Sequence, residues 1–180
     1  MLGSVFSPFY FKARSKNPAA AALEHCSMNV ALYAQNRHLW AMTERASHAV
    51  ARDRHSLSIG PSTMERKDSA LIVHFDEMTS PFPSPFPERL KGSVTIQTDG
   101  FLPYGFSLDA LERHRWTPLA PACRAEVRLS HPSLSFSGHA YVDANAGAEP
   151  LEKAFRQWSW SRASHGKNGA SITYEIERKD

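Results

Sequence analysis

At 180 residues with 42% hydrophobic side chains, the chain is long enough for one domain and can bury a real core. Lysine and arginine outnumber aspartate and glutamate by only 21 to 18, and the tightest basic groups, Lys12-Ala-Arg14-Ser-Lys16 and Arg52-Asp-Arg54-His55, are short; a nucleic-acid partner would call for a dense basic stripe. The two cysteines, Cys26 and Cys123, stand far apart without a CxxC, which excludes a disulfide framework and a thiolate zinc site, and no apolar run reaches the ~20 residues of a membrane-crossing helix.

The first eleven residues, Met1 to Phe11, are apolar and aromatic. Pro8 and the lack of a basic stretch ahead of them make a poor signal peptide, so they read as a strand cut into at its start. Weak helical signal follows in the alanine-rich Lys16 to Glu24. Asn29 to Ala34 and His38 to Glu44 make a hairpin around Gln35-Asn36. Ile59-Gly60-Pro61-Ser62 is a turn. Leu71, Val73 and Phe75 alternate with Ile72, His74 and Asp76, the period-2 pattern of a strand. Pro81 to Pro87 carries too many prolines for a central strand and reads as a surface loop. Val94 and Ile96 mark another strand, and Thr98-Asp99-Gly100 closes it.

Phe106 to Arg113 could give a turn or two of helix. Cys123, Ala125, Val127 and Leu129 alternate with Arg124, Glu126 and Arg128, the cleanest half-buried strand of the chain. Ser130-His131-Pro132-Ser133 turns it into a run carrying Leu134, Phe136 and Gly138 on one face. The opposite face continues through His139 into Tyr141 and Asp143. Trp158 and Trp160 share a face between Phe155 and Arg162, and Ile172, Tyr174 and Ile176 close the series. So many short strands at fairly even spacing predict an all-β barrel or sandwich.

Two pairs carry the chemistry. His114 and Trp116 are separated by one residue, as are Tyr141 and Asp143, and residues i and i+2 of a strand share a face. Each pair sets a proton-handling group beside an electron-rich ring. Asp143 follows Tyr141 and Val142, and burial there would raise its pKa and keep it an acid. Against this, Asp143-Ala-Asn145-Ala-Gly147 also reads as a turn whose Asp and Asn bond local backbone. His114 could hold a water. Trp116, Tyr141, Trp158 and Trp160 could present π faces to a cation, or serve simply as core. His114, His139 and Asp143 together would suit a first-row metal, although no spacing motif supports that set. No phosphate loop, GxSxG or HExxH is present, so phosphoryl transfer, serine hydrolysis and zinc peptidase chemistry lose support.

Several segments, in order, resemble the carotenoid 1,2-hydratases (hydroxyneurosporene synthases). They are Gly3 to Pro8, Met28 to Tyr33, Trp40 to Glu44, Ala51 to Ser62, His114 to Pro118, Phe136 to Gly138, Tyr141 to Asp143, Glu149 to Leu151 and Trp158 to Ala163. The resemblance implies a lipocalin-like (calycin) antiparallel β-barrel, incomplete here: residues 1–163 form the first barrel half without its first strands, and 164–180 form a linker and the first strand of a second half. It implies addition of water to the terminal C1=C2 bond of an acyclic carotenoid such as neurosporene or lycopene, with no cofactor and no metal. The family's functional residues fall on His114, Trp116, Tyr141 and Asp143. Asp143 then protonates C2, Trp116 and Tyr141 shelter the tertiary cation at C1, and water near His114 captures it. Trp40, Phe136, Trp158 and Trp160 are the expected substrate-binding rings. Two positions depart from the family's acidic loop, Ala144 in place of Ser and Ala148 in place of Asp. The expected setting is cytoplasmic, with peripheral contact at the inner membrane, because so apolar a substrate is presented by a bilayer. The rival reading is a non-catalytic carrier of apolar ligands, or an inactive fragment of the enzyme.

Overall fold

The computed structural model describes residues 3, 7–80, 86–166 and 169–179. It is an all-β chain of antiparallel sheets with few helices. Residue contacts divide it into two units. The first holds residues 1–95 and 126–136, and the second holds 96–125 and 137–180.

The first unit opens with helix α1 (Pro8–Lys16). Ser7 caps it by accepting the Tyr10 amide at 2.9 Å, Pro8 stands in the first turn, and Arg14 and Lys16 lie in the last turn. The expected strand at Met1 to Phe11 is thus corrected over its described part from Pro8 onward. The cap signal Ser7-Pro8 overrides the apolar composition. The helix expected at Lys16 to Glu24 lies one segment too late: only a 3-10 turn, Ala22–His25, falls near it, and Pro18 follows the helix end.

Strands β1 (Cys26–Ala34) and β2 (Arg37–Arg45) form the expected hairpin, with Ala34 opposite Arg37 and Cys26 opposite Arg45. The strands β3 (Val50–Arg52), β4 (Ser56–Ile59), β5 (Ser62–Lys67), β6 (Ala70–Met78) and β7 (Arg89–Gln97) follow as antiparallel neighbours. The turn at Gly60 needs glycine: its φ is +59°, and an added Cβ would come within 2.3 Å of the Arg45 Nε. The loop expected at Pro81 to Pro87 lies mostly outside the described residues.

The core of this unit is Leu32, Leu39, Ala41, Phe75, Leu90 and Leu129, with Val30, Val73, Val94, Val127 and Leu134 packed against it. One charge is buried beside it. Glu77 has a fully buried side chain, and Arg45 grips both its oxygens at 3.1 and 2.7 Å while the Ser62 hydroxyl donates at 2.6 Å. Three hydrogen bonds from two residues offset the cost of removing that carboxylate from water.

Strands β8 (Phe106–Ser107), β9 (His114–His131) and β10 (Ser133–Gly147) come next. The ends of β9 and β10 that meet at the 131–133 turn belong to the first unit. Their far ends, 114–125 and 137–147, belong to the second. Along β9 the buried positions are His114, Trp116, Pro118 and Ala120, then Cys123 and Leu129, so the inward face changes parity after Ala120. The second unit is completed by the short helix α2 (Leu151–Ala154) and by β11 (Phe155–His165) paired with β12 (Gly169–Arg178).

Three sheets result. None closes into a barrel among the described residues. Among the described residues β1 pairs with β2 and β11 with β12, and neither pair joins a further strand. Among the described residues no helix is long and apolar enough to cross a membrane.

Candidate functional site

The helix expected at Phe106 to Arg113 is replaced by β8 and a tight turn, and Asp109 explains why. Its carboxylate accepts the backbone N–H groups of Leu111 (2.9 Å), Arg113 (3.3 Å) and His114 (2.8 Å), which withdraws those amides from any helical ladder. The His114 ring adds a further bond from Nδ1 at 2.9 Å. Burial works against the Asp109 charge, yet these hydrogen bonds, led by that from His114, together hold its carboxyl well below the usual range.

His114 begins β9 and is 2% exposed. Its Nδ1 faces the Asp109 carboxylate, its Nε2 faces the Glu149 carbonyl oxygen at 3.2 Å, and the ring packs on Phe155 with centroids 4.7 Å apart. A Cβ on Gly147 would press to 3.2 Å from its Cδ2, so glycine there makes room for the ring. The expected water-holding histidine is thus a buried ring with both nitrogens against protein acceptors.

Two residues on, Trp116 shares His114's buried face. Its indole Nε1 donates both to Tyr141 Oη and to Asp143 Oδ2, each at 3.0 Å, and Tyr141 Oη donates to the same Oδ2 at 3.1 Å. Asn145 Nδ2 approaches that oxygen at 3.4 Å. Asp143 is half-buried, and among the described residues its other oxygen, Oδ1, takes no hydrogen bond. The alternation of β10 puts Tyr141 and Asp143 on one face, as their spacing predicts, and β9 supplies Trp116. Burial, reinforced by Asp143 and partly opposed by the Trp116 N–H, pushes the Tyr141 phenol up to about 12. The Tyr141 hydroxyl is therefore a donor at any ordinary pH.

Rings surround this trio. Phe106 stacks on Trp116 at 5.5 Å, Tyr174 tilts against Trp116 at 5.4 Å, and Trp160 tilts against Tyr141 at 5.0 Å. Burial first and then Asp143 push the Tyr174 phenol upward. Arg162 anchors β11 by donating to the carbonyls of Pro121 (2.9 Å) and Ala140 (3.2 Å), with its guanidinium carbon 5.9 Å from the Tyr141 ring centre.

The four expected catalytic residues therefore lie in one unit, three of them in direct hydrogen-bond contact. Among the expected substrate-binding rings, Trp160 touches Tyr141. Trp158, 48% exposed, lies two residues along the same face and lines a shallow recess of about 300 Å³ with Gln157, Ser159, Glu175, Ile176 and Glu177. Trp40, whose indole donates to Asn29 Oδ1 at 2.8 Å, and the half-exposed Phe136 belong to the first unit. Of the histidines and carboxylate named together as metal ligands, His114 has its nitrogens against Asp109 and the Glu149 carbonyl, and among the described residues no three His, Cys, Asp or Glu side chains converge. Asp109, Phe106 and Tyr174 are site residues that the sequence reading missed. Only the i+5 spacing from Asp109 to His114 was there to find, and it is a weak signal.

The family model described as carotenoid hydratase CrtC matches residues 1–180. Curated relatives named acyclic carotenoid 1,2-hydratase include one from Rubrivivax gelatinosus, 40% identical over 179 residues, and one from Thiocapsa roseopersicina, 44% identical over 177. These alignments cover 99% and 98% of this chain but 43% and 42% of the relatives, so the chain spans less than half their length. A third, from Cereibacter sphaeroides, is 35% identical across 99% of the chain and 61% of its own length. No solved structure matches.

Proposed function

The chain belongs to the carotenoid hydratase CrtC family, and from that premise we propose that it adds water to the terminal C1=C2 bond of an acyclic carotenoid, with Asp143 as the acid. One observation carries the assignment of roles. A half-buried carboxyl group takes an indole N–H and a phenol O–H on one oxygen, and the rings that donate them are packed by Phe106, Tyr174 and Trp160.

The chemistry follows from that asymmetry. In this reading Asp143 delivers its proton to C2 from Oδ1, the oxygen that Trp116 and Tyr141 do not hold, and the π electrons form the new C–H bond. The cation is left at C1, the more substituted carbon. Charge then develops on the Asp143 carboxylate, where Trp116 and Tyr141 already aim their hydrogens at Oδ2. Donors to an ionised acceptor bond about twice as strongly as neutral ones, so they help most after the proton has left. The faces of Trp116 and Tyr141, with Trp160 and Tyr174 beside them, offer negative π density to the cation. Water attacks C1, and the Asp143 carboxylate takes the proton that the water releases. One water is consumed, no electrons are exchanged, and Asp143 is regenerated, so the sequence of steps needs no cofactor. His114 enters as a fixed support for β9. Trp158 and Trp160 extend an apolar wall along which the polyene lies.

The fold that accompanies this reading is lipocalin-like, with residues 1–163 contributing to one barrel half and 164–180 leading into a second. The greater length of the relatives supports it. The substrate's insolubility in water supports peripheral contact with a bilayer on the cytoplasmic side. Flotation of the chain with liposomes tests this, and protein that stays wholly in the soluble fraction refutes it.

Expression in cells that accumulate lycopene or neurosporene tests the reaction. Pigment heavier by one water with the parent chain, and none with Asp143→Asn, is the expected result. Soluble, folded parent that makes no product while still binding the pigment refutes catalysis by this chain and favours the carrier reading.

A further inference from the structure

His114 is buried beside the site, and both of its nitrogens face protein acceptors. One is held by Asp109, a residue with no role in the acid–base steps above. From this geometry we propose that Asp109 is a positioning residue for the hydration: it locks His114 so that the start of β9 stays tied to the turn after β10 and the Trp116 indole stays on Asp143. The proposal rests on the hydratase reading for its kinetic consequence, but its structural content stands apart from it.

The links are specific. Asp109 fixes both the backbone N–H and the ring of His114 through one oxygen, Oδ2. The far side of that ring meets the Glu149 carbonyl at 3.2 Å. Arg113 adds two more ties across the same gap: its carbonyl accepts the Ala148 N–H at 2.8 Å, and its Nη1 lies 3.0 Å from Glu149 Oε1. Residues 109–114 and 147–149 are thereby held together from both sides.

The reacting trio sits immediately beyond this clamp. Trp116 is two residues past His114, and Asp143 is four residues before Gly147. The Trp116–Asp143 bond is 3.0 Å long, and such bonds fade by about 3.5 Å. A slip of roughly half an ångström between the two strands would therefore release Asp143 from its indole donor. Backbone bonds from Glu112 N–H to the Asp109 carbonyl (3.1 Å) and from Leu108 N–H to the His114 carbonyl (2.8 Å) close the turn between residues 109 and 114, and the Asp109 carboxylate adds the tie that holds the His114 ring against the Glu149 carbonyl and so resists that slip. Its four donors also explain why the turn needs an acidic side chain: an alanine would leave three backbone amides and a ring N–H without their acceptor.

The test uses the full chain labelled with ¹⁵N-tryptophan. Its four tryptophans give four indole N–H signals, assigned by single Trp→Phe variants. In Asp109→Ala the Trp116 signal should shift and exchange with solvent at least about tenfold faster, while those of Trp40 and Trp158 hold still. Asp109→Asn keeps the shape and one acceptor oxygen, and should restore part of the protection. Turnover of lycopene in vesicles should fall by about 10²-fold in kcat for the alanine variant with KM within twofold, the expected cost of misplacing a reacting group. A folded Asp109→Ala protein with an unmoved Trp116 indole overturns the proposal, whatever the activity. If the parent makes no product but the indole responds, the hydratase reading fails and the positioning role survives. If the alanine variant does not fold, Asp109→Asn carries the same readout. A His114 ring N–H that exchanges freely in the unaltered protein overturns the proposal without any variant.

Discussion

Replacing Tyr141 by phenylalanine removes one oxygen from the site and nothing else. The ring stays, with its 5.0 Å contact to Trp160 and its place under Arg162. The lost hydroxyl donates to Asp143 Oδ2 at 3.1 Å and accepts from Trp116 Nε1 at 3.0 Å. The indole is not orphaned, because it keeps Asp143 as acceptor. The change is therefore the loss of one donor to a carboxylate that gains charge as the proton leaves. Hydrogen bonds to charged groups contribute about 1.5–3 kcal/mol, and the lower end applies because Asp143 is half-open and retains its indole and amide donors. At about 1.4 kcal/mol per tenfold, kcat should drop by about 10- to 30-fold. On the proposed reading KM should stay within twofold, since the hydroxyl is engaged with Asp143 and Trp116. Initial rates of hydrated carotenoid formation from lycopene in liposomes, resolved by chromatography, provide both constants. An unchanged kcat with a raised KM would show that Tyr141 only binds substrate, and would refute the reasoning.

The same phenol sets an alkaline limit. With its pKa pushed up to about 12 in the folded chain from the ordinary 10.0 of a tyrosine, the folded state keeps a proton that the unfolded chain has lost. Folding stability should fall as pH rises from about 10 toward 12, and Tyr141→Phe should flatten that part of the curve in urea titrations. On the acid side, Asp109 and Asp76 are both held below their ordinary 3.8, Asp76 chiefly by its hydrogen bond from Arg89. Their stabilisation is present above that value and is lost as pH falls below it; Asp76→Asn should shrink the loss seen in acid denaturation. In the first unit, Arg45→Ala leaves the fully buried Glu77 carboxylate without its ion partner and should cost about 3–5 kcal/mol by urea unfolding. A loss below about 1 kcal/mol would mean that Ser62 and water suffice for Glu77.

Strands announce themselves in this chain wherever one side faces apolar neighbours. Leu71 to Phe75 and Cys123 to Leu129 alternate cleanly, and both lie in strands. The region of β3 to β5 stays hidden because Ala51 to Lys67 is rich in Ser and Arg, and its burial is partial and uneven. Helix α1 was masked by the aromatic composition of Pro8 to Phe11, although Ser7-Pro8 is an ordinary start signal. Trp116, Tyr141 and Asp143 were legible because a strand's two-residue period translates spacing into a shared face. Asp109 and Tyr174 were not, because they reach the site through a turn and through a later strand, and a linear pattern holds no record of either approach. Spacing marked His114 as important but not what it binds: its partners, Asp109 and the Glu149 carbonyl, are separated from each other by 40 residues.

The β11–β12 pair stands as a sheet of its own. Two-stranded ribbons are marginal in isolation, so this one persists through what it leans on: Phe155 against His114, Tyr174 against Trp116, Trp160 against Tyr141, and the two carbonyls gripped by Arg162. Those rings are the walls of the site. Docking of the ribbon and enclosure of Asp143 are therefore a single equilibrium, with a free energy smaller than that of unfolding the strands beneath. Amide exchange in residues 169–178 should report how often Asp143 is uncovered, and on the proposed hydratase reading a long polyene lying along Trp158 and Trp160 should slow that exchange by closing the door behind itself.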